Sequence, residues 1–179
     1  MANTSNNRRK QATIAAVEMA FLRLLEDAEV KDIKITDICK LAEINRSTFY
    51  ANYLDIYDLT DKIKERIAFG LRDLYQTEIA KREHSYDFIK LLSHIYANKT
   101  LYKIGFKLGF EGDFVKELEP EYDKKRAVLF YDDKFIDYHV AFFRSGFTAV
   151  IRKWLAGNCR ETPEEILSII EAEYKQKTI

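Results

Sequence analysis

Apolar residues recur at helical spacing along almost the whole chain. From Arg8 to about Asp27, Ile14, Val17, Phe21, Leu24, Leu25 and Ala28 fall three or four residues apart on one stripe, which predicts an amphipathic helix. The polar residues before it predict a disordered arm. After a connector, Glu29–Ile35, Thr36 stands where an N-cap belongs, and Ile38, Leu41 and Ala42 form the apolar side of a short helix. Asn45 follows Ala42 closely and caps a second short helix, Arg46–Tyr53. Two short helices joined by so tight a turn cannot lie parallel; they cross steeply, as in a helix-turn-helix. Phe49 and Tyr53 share a face with Ile38 and Leu41 and are expected in the core.

Asp55 with Asp58 forms a capping pair that opens a long helix from Ile56 to about Lys81. Helices are predicted over Ser85–Ala97 and Lys99–Leu108, then, past a weaker stretch at Gly109–Gly112, over Phe114–Phe130 with an interruption at Pro120. Asp133–Ala156 carries Phe135, His139, Phe142, Phe143, Phe147, Ile151 and Trp154 at helical spacing, with Gly157 as its expected C-cap. Thr162-Pro163-Glu164-Glu165 is a strong helix start, with Ile166, Leu167, Ile169 and Ile170 as the buried face behind it. The expected fold class is all-α: an N-terminal three-helix head with the helix-turn-helix over residues 8–54, and a C-terminal helical bundle over 55–179. About nine helices are expected in total.

Composition supports long helices: 6 Gly and 2 Pro in 179 residues are too few for a turn-rich β protein. Charge is balanced, 29 basic against 29 acidic, so net charge gives no sign of a nucleic-acid partner. Cys39 and Cys159 are far apart and match no metal spacing; isolated thiols fit a reducing cytoplasm. No stretch is apolar enough to span a membrane, and the N-terminus has no signal-peptide run. His84, His94 and His139 fall in separate predicted helices, without a nucleophile motif or a phosphate loop, so neither an enzyme, a metal site nor a cofactor is expected.

The stretch Ile35–Leu59, ITDICKLAEINRSTFYANYLDIYDL, resembles the TetR family of bacterial transcriptional regulators. The similarity rests on Asp37-Ile38, Ala42, Ile44, Asn45, Ser47-Thr48-Phe49-Tyr50 and Tyr53, with IAAVEMAFLRLLED as the family's first helix. Two positions depart from the pattern. Glu43 stands where the family has a turn glycine, which predicts a turn of different shape, and Ile56 replaces a lysine that would meet a phosphate. The stretch GFTAVIRKWLAGNCRETPEE is similar to the end of the body in a subset that includes activators of dihydroxyacetone-kinase operons.

The resemblance implies a cytoplasmic, homodimeric transcriptional repressor (less often an activator) that binds a palindromic operator in double-stranded DNA and releases it when an effector binds. Arg46, Ser47 and Asn52 would project from the recognition helix, with Arg46 reading guanine. Thr48, Tyr50 and Thr36 would bond phosphates, and Arg8, Arg9 and Lys10 would reach the duplex from the arm. The family dimerises through its last two helices, which points here to Phe143, Phe147, Ile151, Trp154, Ile166 and Ile170, with Gly146 and Ala149 allowing close approach. Ten of the twelve Phe lie after residue 60, so an apolar effector cavity would involve Tyr102, Phe106, Phe110 and His139. Control by a partner protein is the alternative that the C-terminal similarity implies. A helical interaction protein with a degenerate head, supported by Glu43, Ile56 and a head (residues 1–66) of 11 basic and 11 acidic side chains, and a small-molecule carrier are the competing readings.

Overall fold

The computed structural model describes residues 4–76, 88–110 and 135–174. Among them the regular structure is entirely helical: α1 (Thr4–Leu24), a 3-10 turn (Val30–Asp32), α2 (Ile35–Leu41), α3 (Arg46–Tyr50), α4 (Ile56–Leu74), α5 (Phe88–Ala97), α6 (Lys99–Lys107), α7 (Ile136–Ala156) and α8 (Pro163–Tyr174). The expected all-α class is therefore observed, with eight α-helices among the described residues. The predicted helix over Phe114–Phe130, the region of Pro120 and the end of the helix expected to reach Lys81 lie outside the described residues.

Helix starts follow the capping chemistry where a side chain does the capping. The Asn45 carboxamide oxygen accepts the Thr48 amide at 2.8 Å and so opens α3. Asp55 accepts the Asp58 amide at 2.8 Å, while the Asp58 carboxylate reaches back to the Leu54 amide, also at 2.8 Å. At α8 the box is reciprocal: Glu165 accepts from the Thr162 amide at 2.7 Å and Thr162 from the Glu165 amide at 3.3 Å.

Four boundaries differ from the sequence expectation. α1 begins at Thr4, so Thr4–Asn7 of the expected arm are helical; once a long helix is nucleated, each added residue completes one more hydrogen bond at little cost. α1 ends at Leu24 and tightens, with Asp27 donating to the Leu24 carbonyl. Thr36 is not the cap of α2. Lys34 occupies that position in an extended conformation without a side-chain bond, and Ile35 takes the first helical position. α3 ends at Tyr50, short of the expected Tyr53, with Ala51 as its C-cap. Gly157 ends α7 as expected, at φ −73, and the left-handed residues after it are Asn158 (φ 65) and Cys159 (φ 52).

Three helices end in the same way. After α2, Glu43 (φ 54) donates to the Lys40 carbonyl and Ile44 to Cys39. After α6, Gly109 (φ 75) donates to Phe106 and Phe110 to Gly105. After α7, Asn158 donates to Leu155 and Cys159 to Trp154. Each is a Schellman motif, in which a left-handed residue lets two amides satisfy the last carbonyls of the helix. The turn of the helix-turn-helix thus keeps its left-handed shape despite Glu43.

The buried residues form one continuous cluster running from Val17 and Phe21 through Ile38, Phe49, Leu59, Ile67 and Leu91 to Trp154 and Ile170. α6 lies at its centre, packed on α1, α4, α5 and α7, while α8 lies against α5. Gly105 permits the α4–α6 approach: a Cβ there would lie 2.4 Å from Ile67 Cδ1. Polar ties radiate from the same helix, from Lys107 Nζ to the Leu25 carbonyl at 3.1 Å and from Lys103 Nζ to Asn158 Oδ1 at 2.9 Å.

Candidate nucleic-acid interface

α3 turns one face inward. Phe49 is fully buried and Tyr53 nearly so, their ring centroids 5.4 Å apart, and Tyr50 meets Phe49 edge-on at 5.7 Å. On the other side of α3, Arg46, Ser47 and Tyr50 are exposed. Arg46 does not extend freely. Its Nη2 donates to the Tyr50 hydroxyl at 3.2 Å and its guanidinium carbon lies 5.7 Å from the ring centroid. The hydrogen bond raises the pKa of Arg46 further, so the charge is permanent.

The Ser47 and Thr48 hydroxyls are turned onto the cap. Both donate to Asn45 Oδ1, at 2.6 and 2.7 Å, beside the Thr48 amide. One carbonyl oxygen has two lone pairs, so three donors oversubscribe it and one hydroxyl is held weakly enough to be traded for a phosphate oxygen. Asn52 folds back on α3, donating to the Thr48 carbonyl at 2.9 Å, and is half-buried rather than projecting. Thr36 is exposed in the first turn of α2, and Arg8, Arg9 and Lys10 are exposed on α1.

Lys62 is the residue that sequence reasoning missed. Its ammonium donates to the Asn52 carbonyl at 2.9 Å and to Asp58 Oδ2 at 2.8 Å, and lies 5.5 Å from the Tyr53 ring centroid. It therefore clamps the end of α3 to the start of α4. Lys62, followed by the Leu54 amide, holds the Asp58 carboxyl below its usual range. The i, i+4 spacing of Asp58 and Lys62 was the available signal. A second clamp joins α1 to α4: Arg66 forks onto Glu18 at 2.5 and 3.2 Å. Burial raises the Glu18 pKa and Arg66 opposes it. The Tyr53 phenol is pushed up to about 12, mainly by burial and then by the Glu18 charge. Ile56, in place of the family's lysine, is buried in the core.

The family model for the transcriptional regulator C-terminal region matches residues 83–173, just over half of the chain. The chain belongs to the TetR family of transcriptional regulators. The match lies in the body, whereas the motif similarity lies in the head, so the two cover different parts of the molecule. A solved structure of a TetR transcriptional regulator from Streptococcus agalactiae 2603V is similar at 23% identity and a TM-score of 0.47, over 95% of this chain and 97% of that one. No curated protein matches the chain.

In this TetR-family regulator, five of the six residues considered for a dimer surface are buried within the single chain: Phe147, Ile151, Trp154, Ile166 and Ile170. The Trp154 indole donates to the Glu161 carbonyl at 2.9 Å, and Phe143 is half-buried, stacked on Phe147 at 5.9 Å. The face that α7 presents outward carries Tyr138, Phe142, Ser145 and Ala149 instead. Of the residues considered for an effector, Tyr102, Phe106 and Phe110 are buried on and just after α6, and His139 is half-buried on α7. The Tyr102 ring meets His94 edge-on at 5.8 Å, and burial pushes the Tyr102 phenol well above its usual range. Cys39 and Cys159 are buried free thiols, both raised in pKa by that burial. Among the described residues no group of His, Cys, Asp and Glu is arranged to hold a metal ion, and no helix is long and apolar enough to cross a membrane.

Proposed function

We propose that this TetR-family regulator is a cytoplasmic, sequence-specific DNA-binding homodimer that reads a palindromic operator through α3 and releases it when an effector binds the body. The reading rests above all on the exposed Arg46–Tyr50 pair, carried on a short helix that Phe49, and Tyr53 just beyond its end, lock into the core. A guanidinium held at the start of a recognition helix is suited to the O6 and N7 acceptors of guanine in the major groove. Tyr50, Thr48 and Thr36 supply hydroxyls for phosphates, Ser47 lies beside Arg46 for a second base, and Asn52 supports the helix from behind.

A single head makes too few base contacts for useful specificity, which favours a two-fold dimer. The outward stripe of α7, with Tyr138 75% and Phe142 74% exposed one turn apart, supports a partner on this face. The effector would enter beside Tyr102, Phe106, Phe110 and His139. α6 packs on both α1 and α4, so a ligand that displaced it would move the head, and operator and effector would compete through one conformational equilibrium.

The test is a selection from random double-stranded DNA with the full chain, followed by binding at several salt concentrations. The expected result is an enriched palindrome whose half-sites lie about 10 bp apart or a multiple of that. Affinity should fall steeply with salt. Recovery of no enriched sequence overturns the reading. It would favour the competing one, a helical interaction protein with a degenerate head, for which the exposed carboxylate of Glu43 and those of Asp55 and Asp58 near α3 speak.

A further inference from the structure

We propose that Tyr50 sets sequence preference without touching a base, by holding Arg46 in the orientation from which Arg46 reads one. The proposal rests on the reading of α3 as the base-reading helix and deepens it.

An arginine side chain has many rotamers, and one on an exposed helix face is ordinarily dispersed among them. Arg46 is held by a hydroxyl and a ring face together, at 3.2 Å and 5.7 Å. No carboxylate lies within ion-pair distance of its guanidinium among the described residues, so Tyr50 restrains the group without neutralising it. The restraint reaches back to the core. Phe49, fully buried, fixes the Tyr50 ring by its edge contact at 5.7 Å, and Tyr50 in turn fixes the guanidinium.

Hydrogen-bond accounting shows why the arrangement leaves both residues usable. The guanidinium carries five N–H donors, one of which is spent on Tyr50, leaving enough for a bidentate contact with guanine. The Tyr50 oxygen accepts from Arg46, so its own hydrogen remains to be donated to a phosphate. Donation to a phosphate makes the phenol oxygen a better acceptor, and the two bonds strengthen each other. Arg46 is then held most firmly when the backbone is in register, which ties base reading to correct docking.

The experiment uses the full chain and the sequence enriched from random double-stranded DNA, together with its single-base-pair variants. Affinities are measured for wild type, Tyr50→Phe, Arg46→Ala and the double variant, with helicity checked by circular dichroism. Tyr50 is half-exposed, so the phenylalanine variant is expected to fold normally. Arg46→Ala should reduce discrimination at one base pair of each half-site by about 5- to 150-fold, the range of a bidentate contact. Tyr50→Phe should reduce discrimination at that same base pair by about 2- to 12-fold, the range of a single hydrogen bond, and should add nothing in the Arg46→Ala background.

A Tyr50→Phe variant that weakens every sequence by the same factor overturns the proposal and leaves Tyr50 as a phosphate contact. So does a loss of discrimination that persists undiminished without Arg46. If Arg46→Ala alone keeps wild-type discrimination at every base pair, the assignment of Arg46 fails, and the proposal fails with it for a reason visible in that variant by itself. A selection that enriches nothing overturns both at the level of function.

Discussion

Replacing Glu43 by glycine should stabilise the protein. Glu43 sits at φ 54, immediately after α2, where the Ile44 amide bonds the Cys39 carbonyl at 3.0 Å to close the turn. An L-residue with a Cβ costs about 1–2 kcal/mol in this left-handed region. Glycine removes that cost but surrenders about 0.5–1 kcal/mol of extra chain entropy on folding. The balance favours Glu43→Gly by ~0.5–1 kcal/mol, or a rise of ~1–4 °C in Tm for a chain of this size. Glu43→Ala is the control, since alanine keeps the Cβ and removes the carboxylate. Thermal and guanidinium unfolding of the three proteins should place glycine above wild type and alanine level with it. Equal stabilisation by both would assign the gain to the lost charge, and a destabilised glycine variant would refute strain at this turn altogether.

Arg66→Met should cost ~2–3 kcal/mol, less than the 3–5 kcal/mol of a fully buried pair because the Arg66 side chain is 47% exposed while that of Glu18 is 7% exposed. The double replacement Glu18→Leu/Arg66→Met should recover most of the loss in chemical denaturation, and failure to recover it would mean that Arg66 acts through packing. Gly105→Ala should destabilise by up to ~2 kcal/mol, overpacking being partly offset by better helix propensity, because its Cβ would meet Ile67 Cδ1 at 2.4 Å. Ile67→Val, which deletes that methyl, should relieve it, and additive costs in the double variant would refute the contact. Burial lowers the His94 pKa, with Asp73 opposing it, so the folded state binds fewer protons there than the unfolded state. Its contribution to stability is complete above the unfolded pKa of ~6.5 and is lost as pH falls through that value toward the folded one. Unfolding free energies at neutral and mildly acidic pH should show a smaller acid loss in His94→Gln than in wild type, and parallel curves would refute the role.

The fold was legible wherever one side chain must do a particular job. Asn45, Asp55 and the Thr162–Glu165 box were recognisable because an N-cap needs a short acceptor at a fixed offset, and the structure uses all three. Thr36 misled for the complementary reason: Lys34 caps α2 through its backbone geometry alone, which leaves no mark on the residue type. The helix ends show the same asymmetry. Of the three Schellman turns, only Gly109 carries the expected residue at the left-handed position; Asn158 tolerates it and Glu43 is held in it by the surrounding turn. The aromatic stripe of α7 is legible as helical, but which of its residues the chain buries against itself is not. Phe147, Ile151 and Trp154 are buried by elements that are distant in sequence, and the periodicity of one helix carries no record of them.

The head's neutral charge count is a poor guide to the field at α3, because counting ignores direction. Ile44–Leu54 contains Arg46 and no carboxylate. Asp55 and Asp58, next in the chain, have their oxygens turned onto the Asp58 and Leu54 amides, and Asp58 is further engaged by Lys62. Glu18, on the far side of Tyr53, is bonded to Arg66. Asp55, Asp58 and Glu18 are thus spent on internal donors, which leaves Glu43, exposed in the turn before α3, as the acid that is not, while Arg46 is held by a neutral phenol and keeps its charge. None of this alters the net charge, and all of it alters what a phosphate or a guanine would meet. The arrangement also explains why Lys62 escaped sequence reasoning. Its tie to the Asn52 carbonyl closes a loop of ten residues across the corner between two helices, a distance that exists only once the chain is folded.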